Sequence, residues 1–357
     1  MIYSNETEIE LEAKYLNWLS MTFIRCYCFL MIPLAIIGHS LSIFVFTRRS
    51  LRSNPCVMYL RAATIFGLLS ACFILPMRLI QSGYIGLDPT VHSIYICKIV
   101  WFLLYSIRLL SFWFVVLACI DRYLCSSSSM RKRSWSNAHV ASQTIRLTLL
   151  IGFLLNIHIL IGFNINISPM TNQPICHSGG RPGLYRKISS LFNLIVFGSV
   201  PSLCMLFFGS LTLRQIDRKN DFQIIIGTYT KKVRKIRKSE RQLTRMLLVQ
   251  VLIYSTTGLM FTIAFIILAK NSNRQKTIVD IAKENLIIAI VGMLSNTGPC
   301  SSFYLFTLSS KRFRKELKRP FRRFVQRQIQ IQMSNCNSWA TPVDSTIRES
   351  NIPKNIL

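Results

Sequence analysis

Acid is what this sequence has least of. Asp and Glu account for 14 of its 357 residues, against 43 Lys and Arg, and charged residues of both signs make up 16%. A soluble domain usually carries about a quarter. The shortage is deepest where catalysis or cation binding would need it most: the stretch Cys97 to Cys119 holds no acid at all. There is no Gly-rich phosphate loop, no Cys/His cluster at metal spacing and no readable Ser/His/Asp set. Nothing therefore marks the chain as an enzyme, and no cofactor or metal is expected. Residues 1–20 are polar and acidic, without the basic start and small-residue cleavage site of a secretory signal.

What is abundant is apolar surface and positive charge. Hydrophobic residues make up 51% and the mean hydropathy is +0.37. Seven apolar segments, near 24–47, 57–80, 97–124, 145–165, 188–213, 243–269 and 284–308, each approach the roughly 20 residues that span a bilayer core. The pattern predicts an all-α membrane protein, a seven-transmembrane helix bundle over 24–308. The formal charge of +29 admits two partners, nucleic acid or an anionic membrane face, and position decides between them. With residue 1 outside, the inner loops and tail hold 27 Lys and Arg and the outer segments 8. That asymmetry predicts an extracellular N-terminus over 1–23 and a cytoplasmic C-terminus, and it removes the nucleic-acid reading.

The inner loop before the sixth span contains Lys231-Lys-Val-Arg-Lys-Ile-Arg-Lys-Ser-Glu-Arg241. Inward topology and attraction to lipid phosphates explain it, and partner docking is compatible with both. After the seventh span, Phe313, Leu317, Phe321 and Phe324 recur at helical spacing amid Lys and Arg. They predict an amphipathic membrane-surface helix over 309–325, with Pro320 ending or kinking it. The polar tail, 326–357, reads as disordered. Asn5-Glu-Thr and Asn166-Ile-Ser are glycosylation acceptors on the expected outer side.

Asp121-Arg122-Tyr123 closes the third span at its inner edge, where an arginine should face the bundle and pair with an acid. Cys97 opens the same span on the outer side, where disulfides form. Cys176 is the one other cysteine in an outer loop, and the remaining nine fall in spans or on the inner side. A Cys97–Cys176 bridge would clamp that loop over the bundle.

Seven spans, Asp121-Arg-Tyr123, a Cys 25 residues before its Arg and a Cys in the following outer loop resemble the rhodopsin-like (class A) G-protein-coupled receptors, over roughly residues 25–325. Asp121-Arg-Tyr-Leu-Cys-Ser-Ser and Ser301-Ser-Phe-Tyr-Leu-Phe-Thr-Leu-Ser-Ser310 further resemble divergent invertebrate receptors of the FMRFamide-receptor-like type. The resemblance implies a plasma-membrane receptor with an extracellular ligand, a neuropeptide, and a heterotrimeric G-protein as partner. It places Gly38, Pro76 and Pro201 at family positions and Glu240 at the inner end of the sixth helix. There the acid would either pair with Arg122, in a lock that opens on activation, or simply solvate a basic loop. Tyr254 and Phe306 join Pro76 and Pro201 as positions of helix movement. The chain departs from the family pattern where His39 replaces Asn, Gly67 stands for the sodium-holding Asp, and Gly258-Leu-Met260 occupies the place of Cys-Trp-x-Pro. Phe306 takes the place of the Tyr in Asn-Pro-x-x-Tyr, and the fourth helix lacks its central Trp.

Arg108, 11 residues past Cys97, is an intramembrane charge and so a candidate ligand contact. Its partners could instead be Asn193, Asn285, Asn296, a backbone carbonyl or water. Arg78, Trp101 and Tyr105 flank the same region, and these residues with Asn193 and Asn296 form the expected ligand set. His39 and His158 read as interhelical hydrogen-bonding residues rather than metal ligands. Two alternatives stand beside the signalling receptor. One is a decoy or scavenger of the same fold, motivated by the missing sixth- and seventh-helix motifs. The other is a seven-helix transporter, which would need a chain of ionisable residues or a lysine in the last span. Residues 284–308 contain no Lys.

Overall fold

Lipid offers a backbone no hydrogen-bond partners, so an apolar segment that enters it folds into a helix that satisfies itself. The computed structural model describes residues 2–49, 51–84, 86–167, 174–178, 184–224, 231–270, 277–311 and 313–318, with 327 and 329. Within these, the side chains of 2–7, 177, 178, 184, 186, 187, 190, 216–224, 231–241, 243, 265 and 268–270 lie outside the description. The chain divides into two units, Met1–Phe313 and Arg314–Leu357. In the second, residues 314–318 are helical. Most of the expected surface helix at 309–325, and all but residues 327 and 329 of the expected tail, fall outside the described residues.

The first unit is an all-α seven-helix bundle. Among the described residues, six helices are long and apolar enough to cross a membrane. The first, α1 (Ile2–Phe46), has 45 residues, roughly twice the length that a bilayer core requires. Hydropathy placed its start at 24. The residues ahead of that point include the helix formers Glu8, Glu10, Leu11, Glu12, Ala13, Lys14 and Leu16 and no Gly or Pro, so the helix continues through them. Glu10 and Lys14 pair one turn apart at 2.8 Å. Ala13 is buried against Val279 and Ala282, and Lys283 reaches Glu12 at 3.1 Å.

The second helix, α2 (Pro55–Gly83), starts on Asn54, whose side chain caps Val57 N–H, with Pro55 in the first turn. It passes through a π-helical turn at Ser70–Ile74, just before Pro76. Proline lacks an N–H and its ring crowds the carbonyl four residues back, and the widened turn relieves both. The same device recurs in α5, which runs Leu184–Asn193, widens at Leu194–Ser199 and continues Val200–Ile224 past Pro201.

Between them lie α3 (Ile94–Ser126) and α4 (Ala138–Gly162). Two-thirds of the most apolar window of α3 is buried, against 17% in α4, so α3 is the central helix and α4 a lipid-facing one. Leu147, Leu150, Ile151 and Leu154 of α4 are exposed, as a helix facing hydrocarbon requires. Helix α4 ends at Gly162, short of the expected 165. From Phe163 onward Phe-Asn-Ile-Asn-Ile alternates with period two and forms β1 (Phe163–Ile167). It pairs antiparallel with β2 (Pro174–Ser178), Ile165 opposite Cys176.

The sixth helix, α6 (Lys231–Lys270), is 40 residues long. The seventh crossing is a broken pair, α7 (Ile278–Leu294) and α8 (Thr297–Ser309), interrupted at Ser295-Asn296. A reciprocal capping box between Thr277 and Asp280 starts α7. One close contact explains a departure noted above. A Cβ on Gly67 would sit 2.5 Å from the His39 ring, so the imidazole fills the room that the missing side chain leaves. His39 is fully buried, and its ring nitrogens make no hydrogen bond of good geometry. The interhelical partner that its ring faces is the Pro299 backbone of the last helix. His158 makes its interhelical bond: its Nδ1 lies 3.1 Å from the Tyr185 hydroxyl.

Candidate functional site

The expected site residues gather in two polar constellations inside the apolar bundle, both built on α3. At its Asp121 end, Asp121 and Arg122 are almost completely buried. Arg122 Nη2 donates to Asp121 Oδ2 at 2.8 Å. The same nitrogen donates to Asn54 Oδ1 at 3.3 Å, so the residue that caps α2 also holds the arginine of α3. Ser136 Oγ donates to the other carboxylate oxygen of Asp121 at 2.7 Å. A buried charge is tolerable when it is paired, and here both carboxylate oxygens of Asp121 are bonded and Arg122 has its counter-charge. Tyr123 points elsewhere: its ring packs on Phe208 at 5.7 Å and its hydroxyl accepts from Lys132 at 3.3 Å. The backbone of α6 includes position 240, but the Glu240 side chain falls outside the described residues, and with it the expected lock.

Aromatic packing connects this end to the rest of the bundle. Tyr254 of α6 is buried edge-on against Phe112, ring centroids 5.0 Å apart. A Cβ on Gly298 would meet its ring at 2.8 Å, so glycine lets α8 come this close. Phe306 is buried between Phe46 at 5.5 Å and Phe313 at 5.9 Å. Its position thus supplies a ring but no hydroxyl.

At the Cys97 end, Cys97 and Cys176 are disulfide-bonded, with Cα atoms 5.8 Å apart. The bridge fixes the β-hairpin to the start of α3, and Ile159 and Phe163 pack around it. Deeper in the bundle is a cavity of about 730 Å³ walled by α1, α2, α3, α5, α6 and α7. Of the expected ligand set, Arg78, Tyr105, Arg108, Asn193 and Asn296 line it. Trp101 does not. Its ring backs Arg78, whose guanidinium carbon lies 4.8 Å from the ring centroid, and packs on Phe163 at 5.6 Å. Arg108 Nη2 donates to Ser295 Oγ at 2.5 Å, a partner missing from the expected candidates. Its guanidinium also covers Phe261, 4.9 Å from the centroid.

Sequence reasoning missed several contributors. Asn17, Ser20 and Met21 of α1 line the cavity at helical spacing, ahead of the predicted span, because α1 starts so early. Gln81 and Phe261 join them. Asn54 carried a readable signal, since Asn before Pro is a helix start, but its second role needed α2 and α3 to be packed. Of the two glycosylation acceptors, Asn166 lies in β1, half-buried, and the Asn5 side chain is outside the described residues.

The sequence profile of the 7 transmembrane receptor (rhodopsin family) matches residues 38–297. No curated protein matches the chain significantly. The profile covers well over half of the chain, and the chain belongs to the rhodopsin family of seven-transmembrane receptors. It is a multi-pass membrane protein and a receptor by family.

Proposed function

We propose that this receptor binds an extracellular neuropeptide at the Cys97 end and activates a heterotrimeric G-protein at the Asp121 end. One observation carries the reading. A single helix, α3, places Arg108 on the wall of a ligand-sized cavity and Arg122 in a buried, paired state. The two are 14 residues, or about 21 Å, apart along its axis. A ligand that favours one arrangement of the helices around the cavity shifts the population of the other end. Release of Arg122 from Asp121 and Asn54 is the step we assign to activation, with Glu240 on α6 as the further partner in the resting state. Pro76 and Pro201, each beside a π-helical turn, and the buried rings Tyr254 and Phe306 are the positions where the helices would re-pack.

The inward excess of Lys and Arg supports a plasma-membrane orientation with the N-terminus and the acceptors Asn5 and Asn166 outside, and the basic helices against membrane lipids. The acid-free stretch Cys97–Cys119 leaves no carboxylate on α3 for an amine ligand and favours a peptide.

The test is expression in cells and a screen of peptides, amidated ones included, with calcium and cyclic-AMP readouts. Arg122→Ala should then lower ligand-driven nucleotide exchange on the order of 10–100-fold while surface expression persists. An undiminished response sinks the coupling mechanism. Gly258-Leu-Met260 in place of the usual sixth-helix motif favours a second reading, a decoy or scavenger. Binding and internalisation with no exchange on any G-protein class would select it.

A further inference from the structure

The described wall of the cavity carries two arginines and no carboxylate. Arg78 and Arg108 both line it, and none of the lining residues is Asp or Glu. Arg108 feels the charge of Arg78, and Arg78 feels that of Asp88 in the loop after α2. Asp88 acts on Arg78 through space without an ion pair to it, and its Oδ1 accepts from the N–H and hydroxyl of Thr90 at 2.9 and 2.7 Å. The outer loops 168–173, 179–183 and 271–276 contain no acid either, only Arg181, Arg274 and Lys276. On α1 and α7, Glu12 pairs with Lys283 and Asp280 caps its own helix. Glu284 is absent from the lining.

Each arginine is instead held by an aromatic face, Arg78 on Trp101 and Arg108 on Phe261. Such a face supports a cation from one side and leaves its N–H edge available. Among the described residues Arg78 makes no hydrogen bond or ion pair. Arg108 uses one nitrogen on Ser295, while its Nε is buried without a partner. Beside them, both side-chain polar atoms of Gln81 and the Oδ1 of Asn193 are also buried without partners. A planar fork of donors on a rigid support, in a site of low dielectric, matches a carboxylate or sulfate.

We infer that the ligand of this receptor presents an anionic group, a carboxylate or sulfate, to Arg78 and Arg108. The inference rests on the reading of this cavity as the ligand site, and it narrows that reading. A peptide amidated at its C-terminus must then bring the anion on a side chain. The same chemistry is available in a small organic acid, which the test separates from a peptide.

The full chain in lipid nanodiscs is incubated with two matched pools of random hexapeptides. One pool ends in free carboxylates. The other ends in amides and is synthesised without Asp or Glu. Retained peptides are counted by mass spectrometry. In parallel, succinate and sulfate alone are tested for thermal stabilisation. Wild type should retain the free-acid pool about tenfold over the amide pool, and stabilisation by succinate or sulfate alone would assign the anion to a small acid. Arg78→Gln and Arg108→Gln should each bring the ratio close to one, and Arg108→Lys should restore part of it. Should Arg108→Gln fail to fold, Arg78→Gln carries the test. Equal retention of the pools, preference for amides, binding by neither pool nor small anion, or a ratio unchanged in Arg78→Gln overturns the inference. Nucleotide exchange separates the two readings. Anion preference without exchange overturns signalling and leaves this inference standing. Exchange driven by neutral amides without anion preference does the reverse.

Discussion

Helix α3 carries one arginine near its middle and another close to its last turn, and the two are treated in different ways. Arg122 is closed in by Asp121 and Asn54, with Ser136 on the far side of the carboxylate. Arg108 has a hydroxyl and a ring, and shares its cavity with a second arginine. The first arrangement contains its own counter-charge, so an ion pair must break before Arg122 can meet another acid. The second is completed from outside. In a medium where an unpaired charge costs several kcal/mol, the difference distinguishes a latch from a receptacle, and both are set on one rigid helix.

The largest effect should come from opening the latch. Asp121→Asn leaves Arg122 buried without its counter-charge and should cost about 3–5 kcal/mol. That appears as a marked fall in the melting temperature of detergent-solubilised receptor together with raised ligand-free nucleotide exchange. Unchanged stability would mean that the pair does not hold this end. A smaller loss is expected from Asn54→Ala, which removes both the α2 cap and an acceptor of Arg122. Loss of the cap alone is worth about 1 kcal/mol, so thermal stability should fall modestly and basal exchange should rise less than in Asp121→Asn. Near zero, or of opposite sign, is the effect of Arg108→Gln on the ligand-free protein. It removes one of two like charges from a cavity whose described lining holds no carboxylate, and Gln can still bond Ser295. Its melting temperature should match or exceed wild type, and a large fall would erase the contrast between the two ends.

Much of the bundle was readable because hydrocarbon imposes one rule on every residue it touches. Apolar length located the spans, and the rule against unpaired charge singled out Arg78, Arg108 and Arg122 before any contact was known. The limits were also physical. Hydropathy is blind to a helix that leaves the membrane, so the start of α1 and its cavity residues Asn17 and Ser20 were missed. A proline announces a disturbance but not its form, and the π-helical turns before Pro76 and Pro201 depend on how neighbours pack. Ser295 became the partner of Arg108 because the break between α7 and α8 turns it inward, and no spacing in the sequence encodes that turn.

By itself, then, the sequence determined that this chain crosses a membrane as seven helices and where its costly charges lie, because both follow from transfer of single residues into lipid. Tertiary structure alone decided which of those charges are answered. Asp121 and Arg122 are neighbours in the chain, yet their burial depends on Asn54 and Ser136 arriving from other elements. Arg78 and Arg108 lie on different helices, and packing alone faces them into one cavity without an acid. Pairing is a property of positions in space, and single-residue energetics carry no information about it.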